Sequence, residues 1–300
     1  MKNYLIWLAK VLTLCFIFLF IPIFLLGVLI TSLGGVRSSE PVFSPLDKVV
    51  AVVELKGAIT SSKDIVAELH KQVNNPKIKG IVLRIDSPGG AVAPSQDIYR
   101  TVEKLKAKKP IVASMGSTAG SGALYSALGA SKVFCQPGTI TGSIGVIMQM
   151  PNVRKITDQV GFEMVTIKSG EFKDTGNIFR EMTDSERALL SETILDIRKD
   201  FVQAVVDGRK LKRDDVEAFA DGRIIIGSKA LELGLVDKFG DVYDAAREVF
   251  EILKEPLPEG EYPKLYYPED NMKKIKKLLE GAWDVPLNAL NTARVRVLYM

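Results

Sequence analysis

The sequence predicts an α/β protein in which short apolar strands alternate with amphipathic helices. Three observations support this class: β-branched runs of strand length recur, residues at helical spacing separate them, and glycine-rich turns follow successive runs. Strands and helices that alternate in this way form right-handed crossovers around a sheet covered on both faces.

Three segments have the apolar, β-branched composition of strands, and two shorter segments of three residues each follow later in the chain. They are Val49–Leu55, Gly80–Ile85, Pro110–Met115, Val165–Ile167 and the short Ile224–Ile226. Apolar residues at helical spacing mark the helices between them. These residues are Ile65, Val66, Leu69 and Val73 in the first helix and Ile98, Val102 and Leu105 in the second, and a third helix is expected at Ser121–Leu128.

A long helix is expected in the second half of the chain. Thr183-Asp-Ser-Glu186 is a capping box, in which the threonine hydroxyl and the glutamate carboxylate each accept a hydrogen bond from a free amide. Apolar residues from Leu190 to Val205 recur at helical spacing and continue this helix for about six turns.

Composition limits the chemistry. The chain has 300 residues, 47% of them apolar and 25% charged, which is enough to bury a substantial core. His70 is its only histidine, and Cys15 and Cys135 lie far apart, so we expect no metal or cofactor. The 40 Lys and Arg residues nearly balance the 36 Asp and Glu residues, which gives no concentrated basic face for nucleic acid.

The N-terminal segment is predicted to anchor the protein in a membrane. No charged residue occurs from Val11 to Val36, and the run from Val11 to Ile30 has the ~20 residues of a spanning helix. A cleaved secretory signal has a shorter apolar region and a small-residue cleavage site, so the anchor is favoured over a signal or a buried helix. Lys2 and Lys10 precede the run, which predicts a cytoplasmic N-terminus, a single pass through the cell (inner) membrane and an extracytoplasmic remainder.

Shifts in composition suggest four regions. Residues 1–36 form the tip and anchor, 37–46 a linker, 47–255 the α/β domain and 256–300 a C-terminal extension. The lysine-rich run Lys273–Leu279 in this extension is typical of a solvated amphipathic helix, with contact to an anionic membrane surface or another subunit as the alternative.

Two glycine-rich turns point to a functional site. Ser87-Pro-Gly-Gly90 and the segment from Gly116 to Gly122 follow neighbouring strands, whose carboxyl ends meet at one crevice. Glycine allows backbone amides to approach a ligand closely, as an oxyanion hole requires. Either turn alone is also compatible with an ordinary β-turn.

Ser121 begins the helix after the second turn. Its hydroxyl could serve as an N-cap, or as a nucleophile at the positive end of the helix dipole. The flanking residues are not those of the G-x-S-x-G elbow of α/β-hydrolases, because Ala119 and Ala123 occupy the glycine positions.

The base for such a nucleophile would be a lysine. His70 neighbours Lys71 and is typical of a solvated surface histidine. A lysine accepts a proton near neutral pH only when burial lowers its pKa. Lys168 and Lys173 both follow the predicted strand Val165–Ile167, and their spacing does not distinguish between them.

At this point four ordered motifs resemble those of the signal peptide peptidase A (SppA) family of bacteria. They are GIVLRIDSPGG at 80–90, ASMGSTAGSGALY at 113–125, TGSIGVIM at 141–148 and IKSGEFKD at 167–174, the last followed by REMT at 180–183. The resemblance covers residues 47–255 and implies a membrane-anchored Ser/Lys protease. It also implies a ClpP/crotonase-like domain of repeated β-β-α units.

The resemblance implies a role for each matched residue. Ser121 matches the nucleophile, Lys173 the general base and Ser143 the serine that hydrogen-bonds the lysine amine. The oxyanion hole is implied at the backbone amides of Gly89, Gly90 and Gly122. The sequence departs from the family at Gly120, where alanine is frequent, and at Ala123, which carries a Cβ that the family often lacks.

The resemblance further implies hydrophobic signal peptides as substrates, and a homo-oligomer in which neighbouring subunits complete the active site. A related anchored Ser/Lys protease that acts on other envelope proteins is the main alternative. A crotonase-type acyl-CoA enzyme and an inactive scaffold are disfavoured, because the chain carries both Ser121 and Lys173.

Overall fold

The computed structural model describes residues 48–268, together with residues 4, 7, 10, 11, 13–21 and 24. Residues 45–268 form a compact unit. Its strands are β1 (Val49–Lys56), β2 (Gly80–Ser87), β3 (Ile111–Ala119), β4 (Lys132–Cys135), β5 (Ile140–Gly142), β6 (Ile224–Ile226), β7 (Lys238–Phe239) and β8 (Lys264–Tyr266). Its helices are α1 (Lys63–Asn74), α2 (Val92–Lys106), α3 (Gly122–Ala127), α4 (Arg154–Gln159), α5 (Asp184–Arg209), α6 (Arg213–Glu217), α7 (Gly227–Glu232) and α8 (Val242–Ile252).

The strands form one mixed sheet with the order β6-β5-β3-β2-β1-β8, and β4 pairs with both β3 and β7. All pairings are parallel except that of β5 with β6, which is antiparallel. Strands and helices alternate from β1 to α3, and two strands follow each other at β4 and β5. The predicted α/β class is confirmed.

The sheet is covered on both faces, as parallel sheets require. Successive strand residues point to opposite sides, so alternate residues of β1, β2 and β3 pack against different helices. Helix α8 covers one face, where Val249 and Phe250 pack among residues that include Val52, Val82 and Val112. Helices α1, α2 and α3 contact the sheet as well and bury Leu69, Ile98 and Leu124 among other apolar side chains.

The predicted strands in β1, β2, β3 and β6 are confirmed, but the one at Val165–Ile167 is wrong. This segment has no regular structure, and its side chains are exposed, with Ile167 at 96% relative accessibility. A β-branched run becomes a strand only where a neighbouring strand supplies hydrogen bonds, and this segment has no strand pairing among residues 48–268.

The predicted membrane anchor is not found among the residues that the structure describes. Within the segment from Val11 to Ile30, the structure describes residues 11, 13–21 and 24, which are helical. Spanning a bilayer takes ~20 apolar residues in one helix. No helix among the described residues is both long and apolar enough. This finding overturns the predicted single-pass localisation with an extracytoplasmic α/β domain.

Other predictions fall on the remaining residues. The linker at 37–46 and the lysine-rich run Lys273–Leu279 lie outside the described residues. The predicted region boundaries at residues 36, 46 and 255 stay predictions. Strand β8 pairs with β1, so the sheet includes residues up to Tyr266.

Candidate active site

Ser121 lies in a strained turn between β3 and α3. Its backbone φ of 51° and ψ of −123° fall in a region that residues other than glycine rarely adopt. Such a conformation costs about 1–3 kcal/mol. Its amide donates to the Gly142 carbonyl at 2.9 Å, which ties the turn to the end of β5. The Ser121 side chain makes no capping hydrogen bond to α3 and is half-buried, so its hydroxyl is not engaged as an N-cap.

The first glycine turn packs directly against Ser121. Gly89 has a φ of +103°, and a Cβ placed on it would lie 2.9 Å from the Ser121 Cβ and 2.8 Å from the Gly122 nitrogen. A Cβ placed on Gly122 would lie 3.4 Å from the Gly90 nitrogen. The two turns that the sequence suggested would share a crevice are therefore in contact, and only glycine fits at Gly89.

The amides in this crevice are not equivalent. The Gly89 amide donates to the Ser87 hydroxyl at 3.1 Å. Within residues 48–268, the amides of Gly90 and Gly122 donate to no protein acceptor. Free, fixed donors next to a serine hydroxyl are what an oxyanion hole requires. Gly90 and Gly122 therefore fit this role better than Gly89.

Ser87 joins the two turns at their base. This buried residue ends β2, its hydroxyl accepts the hydrogen bond from Gly89, and its carbonyl accepts one from the Gly120 amide at 3.2 Å. The sequence placed Ser87 at the end of a strand but gave no sign of this bridging position.

Ser143 lies beside the Ser121 turn. Its φ is 52°, and its amide donates to the Arg223 carbonyl at 2.8 Å. A Cβ placed on Gly120 would lie 3.9 Å from the Ser143 Cβ, so alanine would be accommodated at Gly120. The structure thus brings Ser121, Ser143 and the two glycine turns together.

Lys173 is not brought into hydrogen-bonding contact with these serines. It lies in a turn segment at 171–176, its side chain is exposed, and its amine has no hydrogen-bond or ion-pair partner among the described residues. The amine of Lys168, in contrast, contacts Asp174 at 2.6 Å and donates to the Glu171 carbonyl at 2.8 Å. His70 is exposed on α1. Of the three candidate bases, Lys168 is thus committed to an ion pair.

A small cavity beside Ser121 has mainly apolar walls. Its lining includes Val92, Val146, Ile197 and Phe201, with Gln96 as a polar member. Tyr125 also lines this cavity. Its ring packs edge-on against Tyr99 with 5.2 Å between ring centroids, and burial raises the pKa of the Tyr125 hydroxyl. The sequence assigned Ile197 and Phe201 to the apolar side of a helix, and helical spacing alone could not show that this side reaches the serine.

No group of three or more His, Cys, Asp or Glu side chains within the described residues could hold a metal ion. Burial raises the pKa of the Cys135 thiol to about 11, so this cysteine is a protonated core residue at neutral pH.

Serine hydrolases use this arrangement, a serine in a strained turn beside free glycine amides, for acyl transfer. Family comparisons point to the same class. The Clp protease model matches residues 42–141, and the model of peptidase family S49 matches residues 103–255. The chain is a serine-type peptidase, and it belongs to peptidase family S49.

Individual relatives agree with this assignment and confirm the resemblance to the SppA family. A Synechocystis protein named "Putative protease slr0021" is 42% identical over 199 residues, 66% of this chain and 72% of its own length. An Enterococcus faecium protein named "Putative signal peptide peptidase SppA" is 34% identical over 61% of this chain. Protease 4 of Haemophilus influenzae is 27% identical over 77% of this chain. The chain spans 54% of the Enterococcus relative and 39% of the Haemophilus relative.

Proposed function

We propose that the protein is an endopeptidase that cleaves remnant signal peptides, with Ser121 as nucleophile and Lys173 as general base. The observation that carries this proposal is the Ser121 turn, in which the hydroxyl is uncommitted and adjoins the free amides of Gly90 and Gly122. A nucleophile with two fixed donors beside it is what peptide-bond attack requires.

The chemistry follows from this arrangement. Lys173 in its neutral form takes the proton from the Ser121 hydroxyl while the oxygen bonds to the peptide carbonyl carbon. The amides of Gly90 and Gly122 stabilise the oxyanion, where the loss of one donor costs about 2.7–4 kcal/mol. The intermediate then expels the amine, which receives its proton from Lys173, and water hydrolyses the acyl-enzyme.

Lys173 needs a covered position for this role, because an exposed amine stays protonated near neutral pH. The segment from Ile147 to Lys173 exposes apolar side chains, among them Ile147 at 82%, Val165 at 77% and Ile167 at 96% relative accessibility. We infer that a second copy of the chain packs on this segment, buries Lys173 and sets its amine beside the Ser121 and Ser143 of the neighbouring copy.

The cavity beside Ser121 supports apolar substrates. Its walls include Val92, Val146, Ile197 and Phe201, which suit a small or medium apolar side chain. Signal peptides carry a continuous apolar region. The Enterococcus relative also has the name of a signal peptide peptidase.

Peptide cleavage tests the proposal. We expect the full chain to cleave a synthetic signal peptide faster than a peptide of equal length whose apolar region is replaced by serine and glutamine. Ser121→Ala and Lys173→Met should abolish cleavage, and Lys168→Met, the matched control, should retain it. Equal cleavage of both peptides would refute the substrate class, and an active Lys173→Met variant would refute the base.

A further inference from the structure

The carboxylate of Asp174, the residue next to Lys173 in the sequence, has both of its oxygens occupied. Oδ1 accepts from the Lys168 amine at 2.6 Å, and Oδ2 accepts from Arg180 Nε at 2.9 Å. The side chain of Asp174 is 13% exposed. The guanidinium of Arg180, followed by the Lys168 amine, holds the pKa of Asp174 well below its usual range, so this carboxylate is charged near neutral pH.

Arg180 is in turn held by a buried carboxylate. Its Nη1 donates to Glu186 Oε2 at 2.8 Å, its Nη2 donates to Glu186 Oε1, and its Nη2 also donates to the Asp174 carbonyl at 3.2 Å. Glu186 is 1% exposed, and the Thr183 amide donates to its Oε2 at 2.9 Å as part of the capping box of α5. The guanidinium therefore bridges the rigid start of a long helix and the segment that carries Lys173.

Other carboxylates near this segment also have partners. Glu171 Oε1 accepts from the Ser185 hydroxyl at 3.1 Å, and Glu181 Oε1 lies 3.6 Å from Arg154 Nη1. Asp174 is nevertheless the acid closest to Lys173 in the sequence. If Arg180 were absent, one oxygen of the Asp174 carboxylate would lose its partner, one residue along the chain from the Lys173 amine, which has no partner among the described residues.

We propose that Arg180 is a positioning residue for Lys173: anchored by buried Glu186, it occupies the Asp174 carboxylate and so keeps the Lys173 amine available to act as the general base. This inference rests on the proposed function, because it assigns a role relative to Lys173 as the base. A carboxylate within about 4–6 Å of an amine stabilises the ammonium and raises its pKa by about 1–3 units. A lysine captured by Asp174 would therefore be a poor base near neutral pH.

The test is the pH profile of kcat for signal-peptide cleavage by the full chain. Its ascending limb reports the base in the enzyme–substrate complex. In Arg180→Gln this limb should move to higher pH by about one unit or more, with a roughly tenfold loss of kcat at pH 7 and unchanged KM. Adding Asp174→Asn to Arg180→Gln should return the limb toward the wild-type position, which a purely structural role for Arg180 does not predict.

Arg198→Gln is the matched control. Arg198 lies on α5 and, like Arg180, is ion-paired, in its case to Glu217 at 2.6 Å. Its hydrogen bonds and ion pairs among the described residues do not reach the Lys173 segment, so the limb of the Arg198→Gln profile should stay in place. If Arg180→Gln does not fold, Arg180→Lys serves instead, because one amine cannot bridge the carboxylates of Asp174 and Glu186. We expect the limb to move in the same direction, and Asp174→Asn to restore it in this variant as well.

The outcomes separate this inference from the proposed function. The positioning role is overturned if the limb does not move in Arg180→Gln, or if adding Asp174→Asn does not restore it. The proposed function still holds in that case if Lys173→Met is inactive. Activity in Lys173→Met overturns both.

Discussion

At the scale of single residues, the candidate site brings together residues with uncommon backbone conformations. Ser121 and Ser143 both have positive φ, and so does Gly89, which packs against the Ser121 turn. Glycine-rich turns after adjacent strands pointed to Ser121 and Gly89, whereas Ser143 was implied by the family resemblance. The sequence motifs could not show that the Gly89 amide donates to the Ser87 hydroxyl while the Gly90 amide has no acceptor within residues 48–268. This difference depends on the three-dimensional path of the two turns.

Gly89→Ala tests whether this close packing matters. An added Cβ would meet the Gly120 oxygen and the Gly122 nitrogen at 2.8 Å, at a φ of +103°, so the turn and its amides must shift. We expect kcat to fall by about 10²–10³, the effect of losing an oxyanion donor, when cleavage rates are compared. Gly138→Ala is the control, because its added Cβ meets nothing within 4 Å. Full activity in Gly89→Ala would contradict the assigned role of this turn.

At the scale of elements, helix α5 contacts both the segment that carries Lys173 and the cavity beside Ser121. Its first turn, with the capping box at Thr183, fixes Arg180, and its later residues Ile197 and Phe201 line the cavity beside Ser121. The capping box and the apolar spacing predicted this helix well, since both are local features. Tertiary packing determines what each side of the helix contacts, so local spacing could not predict it. The strand predicted at Val165–Ile167 is wrong for a similar reason, because strand pairing also depends on tertiary structure.

The stability that the first turn of α5 contributes to the fold should depend on pH. The Arg180 guanidinium, followed by the Thr183 amide, lowers the pKa of Glu186 to about 2, below the value of about 4.3 for an unfolded glutamate. Glu186 therefore contributes stability that is complete above its unfolded pKa and is lost as the pH falls through its folded pKa.

Urea unfolding at a series of pH values measures this contribution. The free energy of unfolding of the wild type should exceed that of Glu186→Gln by more at pH 7 than at pH 2. Glu192→Gln, an exposed change on the same helix, is the control and should leave the pH dependence unchanged. An identical pH dependence in wild type and Glu186→Gln would show that the ion pair adds nothing.

At the scale of the whole molecule, the sheet gathers the candidate site at the carboxyl ends of β2 and β3, where parallel α/β sheets place ligands. Alternation of strands and helices was enough to predict this class. The short strands β7 and β8 had no periodicity to reveal them. The apolar N-terminal run predicted an anchor from composition, but no helix among the described residues is long and apolar enough to span a membrane.

A shared active site would be a property of the assembly. Mixing inactive Ser121→Ala and Lys173→Met chains should restore part of the activity, because a mixed oligomer pairs an intact Ser121 of one copy with an intact Lys173 of another. Cleavage assays and the oligomer mass, measured by light scattering, check this. No recovery in oligomers proven to be mixed would mean that each chain supplies both residues to its own site.

The most direct test of the Ser121–Lys173 assignment is the rate at which a fluorophosphonate probe modifies the protein, with the adduct located by mass spectrometry. We expect one adduct, on Ser121, that forms faster as the pH rises, forms at the wild-type rate in Lys168→Met and is lost in Lys173→Met. An adduct on another residue, or modification of Lys173→Met at the wild-type rate, would contradict the assignment.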